Sequence, residues 1–145
     1  MTMPFRFLDD IAPADAAFEA RGDTLGELFV AASEALLGTM MAVPGNIEPR
    51  QEIAIRLKDR DLDMLLCALL EELIYLKDAR SLLLQAAKIR IDECTDGYSL
   101  EAIFKGEVID SSRHPLLVDV KAVTLHRLEV IREKGQWKAV VVLDV

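Results

Sequence analysis

Five consecutive apolar residues, Ala139-Val140-Val141-Val142-Leu143, stand just before the last two positions of the 145-residue sequence. A strand with one face in water alternates apolar and polar residues, and this run does not alternate. It lies in the last strand, read as Trp137 to Val145. The reading is a central strand buried on both faces, which obliges the rest of the chain to cover it.

The remaining segments supply that cover in alternating periods. Ala16 to Arg21 reads as a strand with Phe18 and Ala20 on one face, and Gly22 ends it. Thr24 and Glu27 have the spacing of a capping box. The helix after them carries Leu25, Leu28, Phe29, Ala32 and Leu36 on one stripe, runs towards Met40 and stops at Pro44-Gly45-Asn46. Glu52 to Lys58 alternates as a strand. Asp59 or Asp61 then caps a second helix with the stripe Leu62, Leu65, Leu66, Leu69, Leu73 and Leu76. Period two returns with Ala87, Ile89 and Ile91 on one face, and Asp96-Gly97 turns the chain into a strand carrying Tyr98, Leu100, Ala102 and Phe104. Asp110 to Pro115 reads as a polar loop and Val118 to Ile131 as a long extended segment. Glu133-Lys134-Gly135 turns into the final strand. The order is roughly βαβαββββ, an α+β two-layer fold with two amphipathic helices on a mixed, mostly antiparallel sheet. Leu28, Phe29, Leu65, Leu69, Phe18, Ile55 and Val141 are the expected core.

Composition narrows the function classes. Hydrophobic residues at 52% exclude disorder, and 29% charged residues exclude a membrane-buried chain. No apolar run reaches the ~18 residues of a membrane span, and residues 1–145 read as a single domain. Seventeen basic against 25 acidic residues give a net charge of −8. Such a balance repels phosphate backbones, so direct nucleic-acid binding is not expected. Cys67 and Cys94 are isolated, with no zinc or disulfide spacing. No secretory signal opens the chain, and a reducing, cytoplasmic setting fits.

Phosphate-cradling glycine motifs and nucleophile motifs are absent. His114 is expected as a solvated loop residue, and His126 as a half-buried, hydrogen-bonded structural histidine on the face of Thr124, Leu128 and Val130. Carboxylates say more. Asp9, Asp10 and Asp15 lie near the start, and Asp144 is followed directly by Val145. A side-chain carboxylate next to a main-chain one offers two hard oxygens of the kind Mg²⁺ and Ca²⁺ take, although any chain ending in Asp-X offers the same.

Several segments together resemble the archease family. Ala12-Pro13-Ala14-Asp15 leading into Phe18-Glu19-Ala20-Arg21-Gly22 is similar to the family's H-T-A-D opening and F-x-A-x-G strand. Thr24-Leu25-Gly26-Glu27-Leu28-Phe29 looks like its first helix start. Asp61 to Leu66 and Leu70 to Tyr75 resemble its second helix. Gly106-Glu107, Asp110 and His114 look like the G-E-x-x-D-x-x-x-H loop, Val120 to His126 is close to V-K-A-V-T-Y-H, and Leu143-Asp144-Val145 is similar to the family ending. One departure stands out: Ala12 occupies the place of the family's histidine, and two extra residues before it bring in Asp10 and Ile11.

The resemblance implies an accessory protein of an RtcB-type RNA ligase, a partner that joins RNA ends in tRNA splicing and repair. The accessory promotes guanylylation and turnover of the ligase and is not itself an enzyme. It also implies a divalent metal ion, Ca²⁺ or Mg²⁺, held by Asp15, Asp144 and Val145. The alternative is a small metal-dependent hydrolase of phosphoesters using the same acidic groups. No general base with suitable reach is visible in the sequence to support it.

Overall fold

In the computed structural model, residues 4–8, 15–42 and 44–145 are described. The elements are β1 Phe5–Leu8, β2 Asp15–Gly22, α1 Leu25–Met40, a 3-10 turn Pro44–Asn46, β3 Gln51–Asp59, α2 Leu62–Arg80, β4 Leu82–Cys94, β5 Gly97–Val108, β6 Ala122–Glu133 and β7 Gln136–Asp144. The class is α+β. In place of one mixed sheet there are two antiparallel ones, ordered β1-β2-β7-β6 and β3-β5-β4. β6 is the last strand of its sheet. Its Val123 N–H donates to Glu71 Oε1 of α2 at 2.8 Å, so a helix side chain rather than a further strand satisfies this edge donor.

β7 lies between β2 and β6, and all five residues of its apolar run are buried. Phe18 and Val141 pair across β2 and β7. They join Leu28, Phe29, Leu65, Leu69 and Ile55 in a core cluster drawn from both helices and both sheets. The expected core is therefore the observed one. No helix among the described residues is long and apolar enough to cross a membrane.

Local chemistry sets the element ends. Thr24 Oγ1 accepts from Glu27 N at 3.1 Å, while Glu27 Oε2 accepts from Asp23 N at 2.9 Å, one residue earlier than a reciprocal capping box. Asp61 is the N-cap of α2, without a side-chain cap bond. Lys134 and Gly135 both have positive φ, 52° and 80°, the requirement of the two-residue turn between β6 and β7.

Three expectations on strand limits are corrected. Ala87 is exposed and marks a register shift between Ala86 and Lys88, so it does not share the Ile89 face. The strand begins five residues before it, at Leu82. The β4–β5 turn is Thr95-Asp96, with Gly97 already in β5. Gly97 has φ 142°, and a Cβ there would sit 2.5 Å from Asp59 O, so backbone proximity as well as conformation calls for glycine. β6 starts at Ala122 rather than Val118, after a stretch in which Leu116 bridges Met41.

Candidate functional site

β2 and β7 run antiparallel in a register that sets Asp15 opposite Asp144, and Asp144 also pairs with Ala122 of β6. The start of β2 and the end of β7 thus meet at one end of the four-stranded sheet. Directly opposed side chains on neighbouring strands have Cβ atoms about 4.5–5.5 Å apart, and like charges there are destabilising. Asp15 is half-buried and Asp144 exposed. Among the described residues, neither carboxylate forms an ion pair with a Lys or Arg. Val145 is half-buried against the core, and Lys121 N–H donates to Asp144 O at 2.8 Å. The β7 terminus is therefore held by the start of β6.

The alternation of strands puts Asp15 and Ala17, Val142 and Asp144, and Ala122 and Thr124 on one face. Ala17 and Val142 are buried there. On the same face the Thr124 Oγ1 is buried and has no hydrogen-bond partner among the described residues. Two opposed carboxylates with no cationic partner among the described residues, on the face that also carries the Thr124 hydroxyl, offer hard oxygens of the kind that suits Mg²⁺ or Ca²⁺. No three Asp, Glu, His or Cys side chains gather as a metal centre among the described residues. Among the described residues, a cation held at this pair would find its further ligands in main-chain or hydroxyl oxygens or in water. Asp9, Asp10 and Ala12 lie outside the described residues.

A second polar cluster surrounds Glu107, at the end of β5. Glu107 and His114 expose only 3% and 0% of their surface, so the expectation of a solvated His114 is corrected. Glu107 Oε2 accepts from Glu48 N at 2.7 Å and contacts His114 Nε2 at 3.2 Å, while Oε1 takes Arg113. His114 Nδ1 accepts from Asp110 N at 2.9 Å. With Nδ1 an acceptor, the ring is the Nε2–H tautomer and donates to Glu107. The backbone N–H of Glu48 leads the forces that hold the Glu107 carboxyl below the usual carboxylate range. His114 and Arg113 reinforce it and burial opposes it. The network ties the 3-10 turn region to the loop that leads to β6.

His126 also departs from expectation. It is exposed, because the β6 register jumps from Thr124 opposite Val142 to Glu129 opposite Val140. Leu125 to Leu128 thus bulge out opposite Val141 alone, and Arg127 adopts φ 60°. The alternation that joined His126 to Thr124 and Leu128 breaks there.

The fold and this end of the sheet define a small α+β protein whose first long strand and last strand present paired carboxylates. The model of the Archease protein family matches residues 5–145. An archease of Methanopyrus kandleri is 34% identical over 132 residues, 91% of this chain and 94% of its own. The solution structure of Methanobacterium thermoautotrophicum protein 1598 covers 99% of this chain and 100% of its own at 34% identity, with a TM-score of 0.85. The crystal structure of a Thermotoga maritima archease, termed a "possible chaperone", shares the fold at 19% identity with a TM-score of 0.62, covering 97% of this chain and 98% of its own. The chain belongs to the archease family.

Proposed function

We propose that this chain is a non-catalytic accessory protein that activates an RtcB-type RNA ligase, promoting its guanylylation and turnover in tRNA splicing or repair. In this reading Asp15, Asp144 and the Val145 carboxylate hold a divalent cation, Ca²⁺ or Mg²⁺. The observation that carries it is the cross-strand pairing of Asp15 with Asp144 in a member of this family. When bound, the cation supplies positive charge that neutralises the carboxylates and can polarise a phosphate or carbonyl oxygen of the partner. Asp15 and Asp144 set the position of that charge from two rigidly paired strands. Lys121 fixes the β7 end through its N–H to Asp144 O. The net charge of −8 favours a protein partner over free RNA.

The deciding experiment is guanylylation of the ligase with and without this protein, in Ca²⁺, in Mg²⁺ and in chelator. Acceleration that needs the protein and is lost in Asp15→Asn and Asp144→Asn supports the reading. A short tag after Val145 is expected to damage activation more than one before Met1, because it turns the terminal carboxylate into an amide. Full activation by all these variants excludes the metal site. Phosphoester hydrolysis by the isolated chain with Mg²⁺ or Mn²⁺ favours the hydrolase instead.

A further inference from the structure

Thr124 sits in β6, opposite Val142 and two residues beyond Ala122, the partner of Asp144. Its hydroxyl oxygen is buried and makes no hydrogen bond among the described residues. A buried polar atom normally finds a partner, because leaving one unpaired costs about 1–3 kcal/mol. Valine would fill a similar volume without that cost, so the hydroxyl calls for a reason. The neighbours on the main chain do not supply one. The adjacent Val123 N–H points away from β7 to Glu71 at 2.8 Å, which secures the strand on its outer side and leaves the Thr124 side chain on the face of Asp144 and Asp15.

We propose that Thr124 is a further donor to the cation held at Asp15 and Asp144, contributing its neutral hydroxyl oxygen directly or through one water. The proposal rests on the metal reading above and adds a residue to it. A neutral oxygen suits this position. A third side-chain carboxylate would add repulsion to a pair that is already like-charged, whereas a hydroxyl adds a hard ligand without charge. The bulge that begins directly after Thr124 lets the chain leave the sheet without shifting the Ala122–Thr124 register against β7. Thr124 is therefore placed by the same strand pairing that places Asp144.

The test is calorimetric titration of the full chain with Ca²⁺ and with Mg²⁺, alongside melting in chelator. Thr124→Val is expected to weaken binding about 10- to 100-fold, the range seen when a supporting ligand contact is lost. Thr124→Ser, which keeps the hydroxyl, is expected to bind like the parent. In chelator, Thr124→Val is expected to melt at or above the parent temperature, because an orphaned polar atom is gone. That opposite movement of stability and affinity separates a ligand role from a packing defect. If Thr124→Val binds as tightly as the parent while Asp144→Asn does not bind, Thr124 is not a donor and the carboxylate site stands. If the parent binds neither cation, the metal reading falls and this inference falls with it.

Discussion

Glu107 Oε2 lies 3.2 Å from His114 Nε2, and both side chains are almost wholly enclosed. The carboxylate is held below its usual range, first by the Glu48 N–H and then by His114 and Arg113. Its stabilising effect is full above the pKa it has in the unfolded chain. The effect is lost as pH falls through the lower folded value. Stability is therefore expected to decline as pH drops below about 5, with the Glu107 share disappearing over the carboxylate range. Glu107→Gln is expected to be less stable than the parent at pH 7 and to show a shallower decline below pH 5. Urea unfolding at a series of pH values measures both slopes, and parallel curves refute the assignment.

Asp15 and Asp144 predict a change of sign with cation. In chelator, Asp15→Asn removes a cross-strand repulsion and is expected to stabilise the fold by about 0.2–1 kcal/mol. At a Ca²⁺ concentration 100 times the dissociation constant, a bound parent gains about 2.7 kcal/mol that the variant lacks. Thermal melts of both proteins with and without cation are expected to cross. A parent melting temperature indifferent to Ca²⁺ and Mg²⁺ overturns this.

The parts of the fold that were legible are those where one strong pattern decides the outcome. The run Ala139 to Leu143 sits at the centre of its sheet because five apolar residues have nowhere else to go. The stripe from Leu28 to Leu36 is buried because α1 is regular and capped at Thr24. Four residues give too short an alternation to mark Phe5–Leu8 as a strand; pairing with β2 makes it one. Ala87 and His126 were misplaced for a shared reason. Each lies at a register break, with one extra residue in β4 and three in β6, and an odd insertion reverses the faces that alternation assigns. The site was partly legible. Asp15 and Asp144 came from the resemblance, and the β2–β7 register now brings them together. The burial of Glu107 and His114 was hidden, since Glu107 is buried out of phase with Leu100, Ala102, Phe104 and Gly106. Nothing in the sequence distinguishes the Thr124 hydroxyl from an ordinary strand threonine. Its isolation is a property of the packed face.

Leu69 tests the core that joins the two helices to both sheets. It is fully buried and belongs to the common cluster. Leu69→Ala is expected to cost about 2–5 kcal/mol, as lost transfer energy plus the cavity left behind. Denaturant titration reads the loss as a lower midpoint at unchanged slope. A loss under about 1 kcal/mol contradicts enclosure on all sides.

Lys77 tests how α2 holds the chain entering β6. Its Nζ donates to Asp119 Oδ1 at 2.6 Å and Val120 O at 2.7 Å and lies 2.7 Å from Asp78 Oδ1, while the side chain is 8% exposed. Burial pulls its pKa down, but the bonds to Asp119 and Asp78 outweigh it and hold the ammonium charged. Asp119 is 76% exposed, so water can replace the lysine there at little cost. Val120 is buried, and its carbonyl has less access to such a substitute. The bond to Val120 O therefore carries most of the effect. Lys77→Ala removes that donor together with a packed aliphatic stem, with an expected cost of about 1–3 kcal/mol. Lys77→Met keeps the stem and is expected to cost less. Both variants are expected to speed hydrogen exchange at Lys121 and Val123, whose N–H groups bond Asp144 O and Glu71. Leu100 and Phe104, inside the other sheet, are expected to keep their protection. Uniform loss of protection across both sheets instead indicates general destabilisation, and no change at Val123 shows that Glu71 holds the edge without help from Lys77.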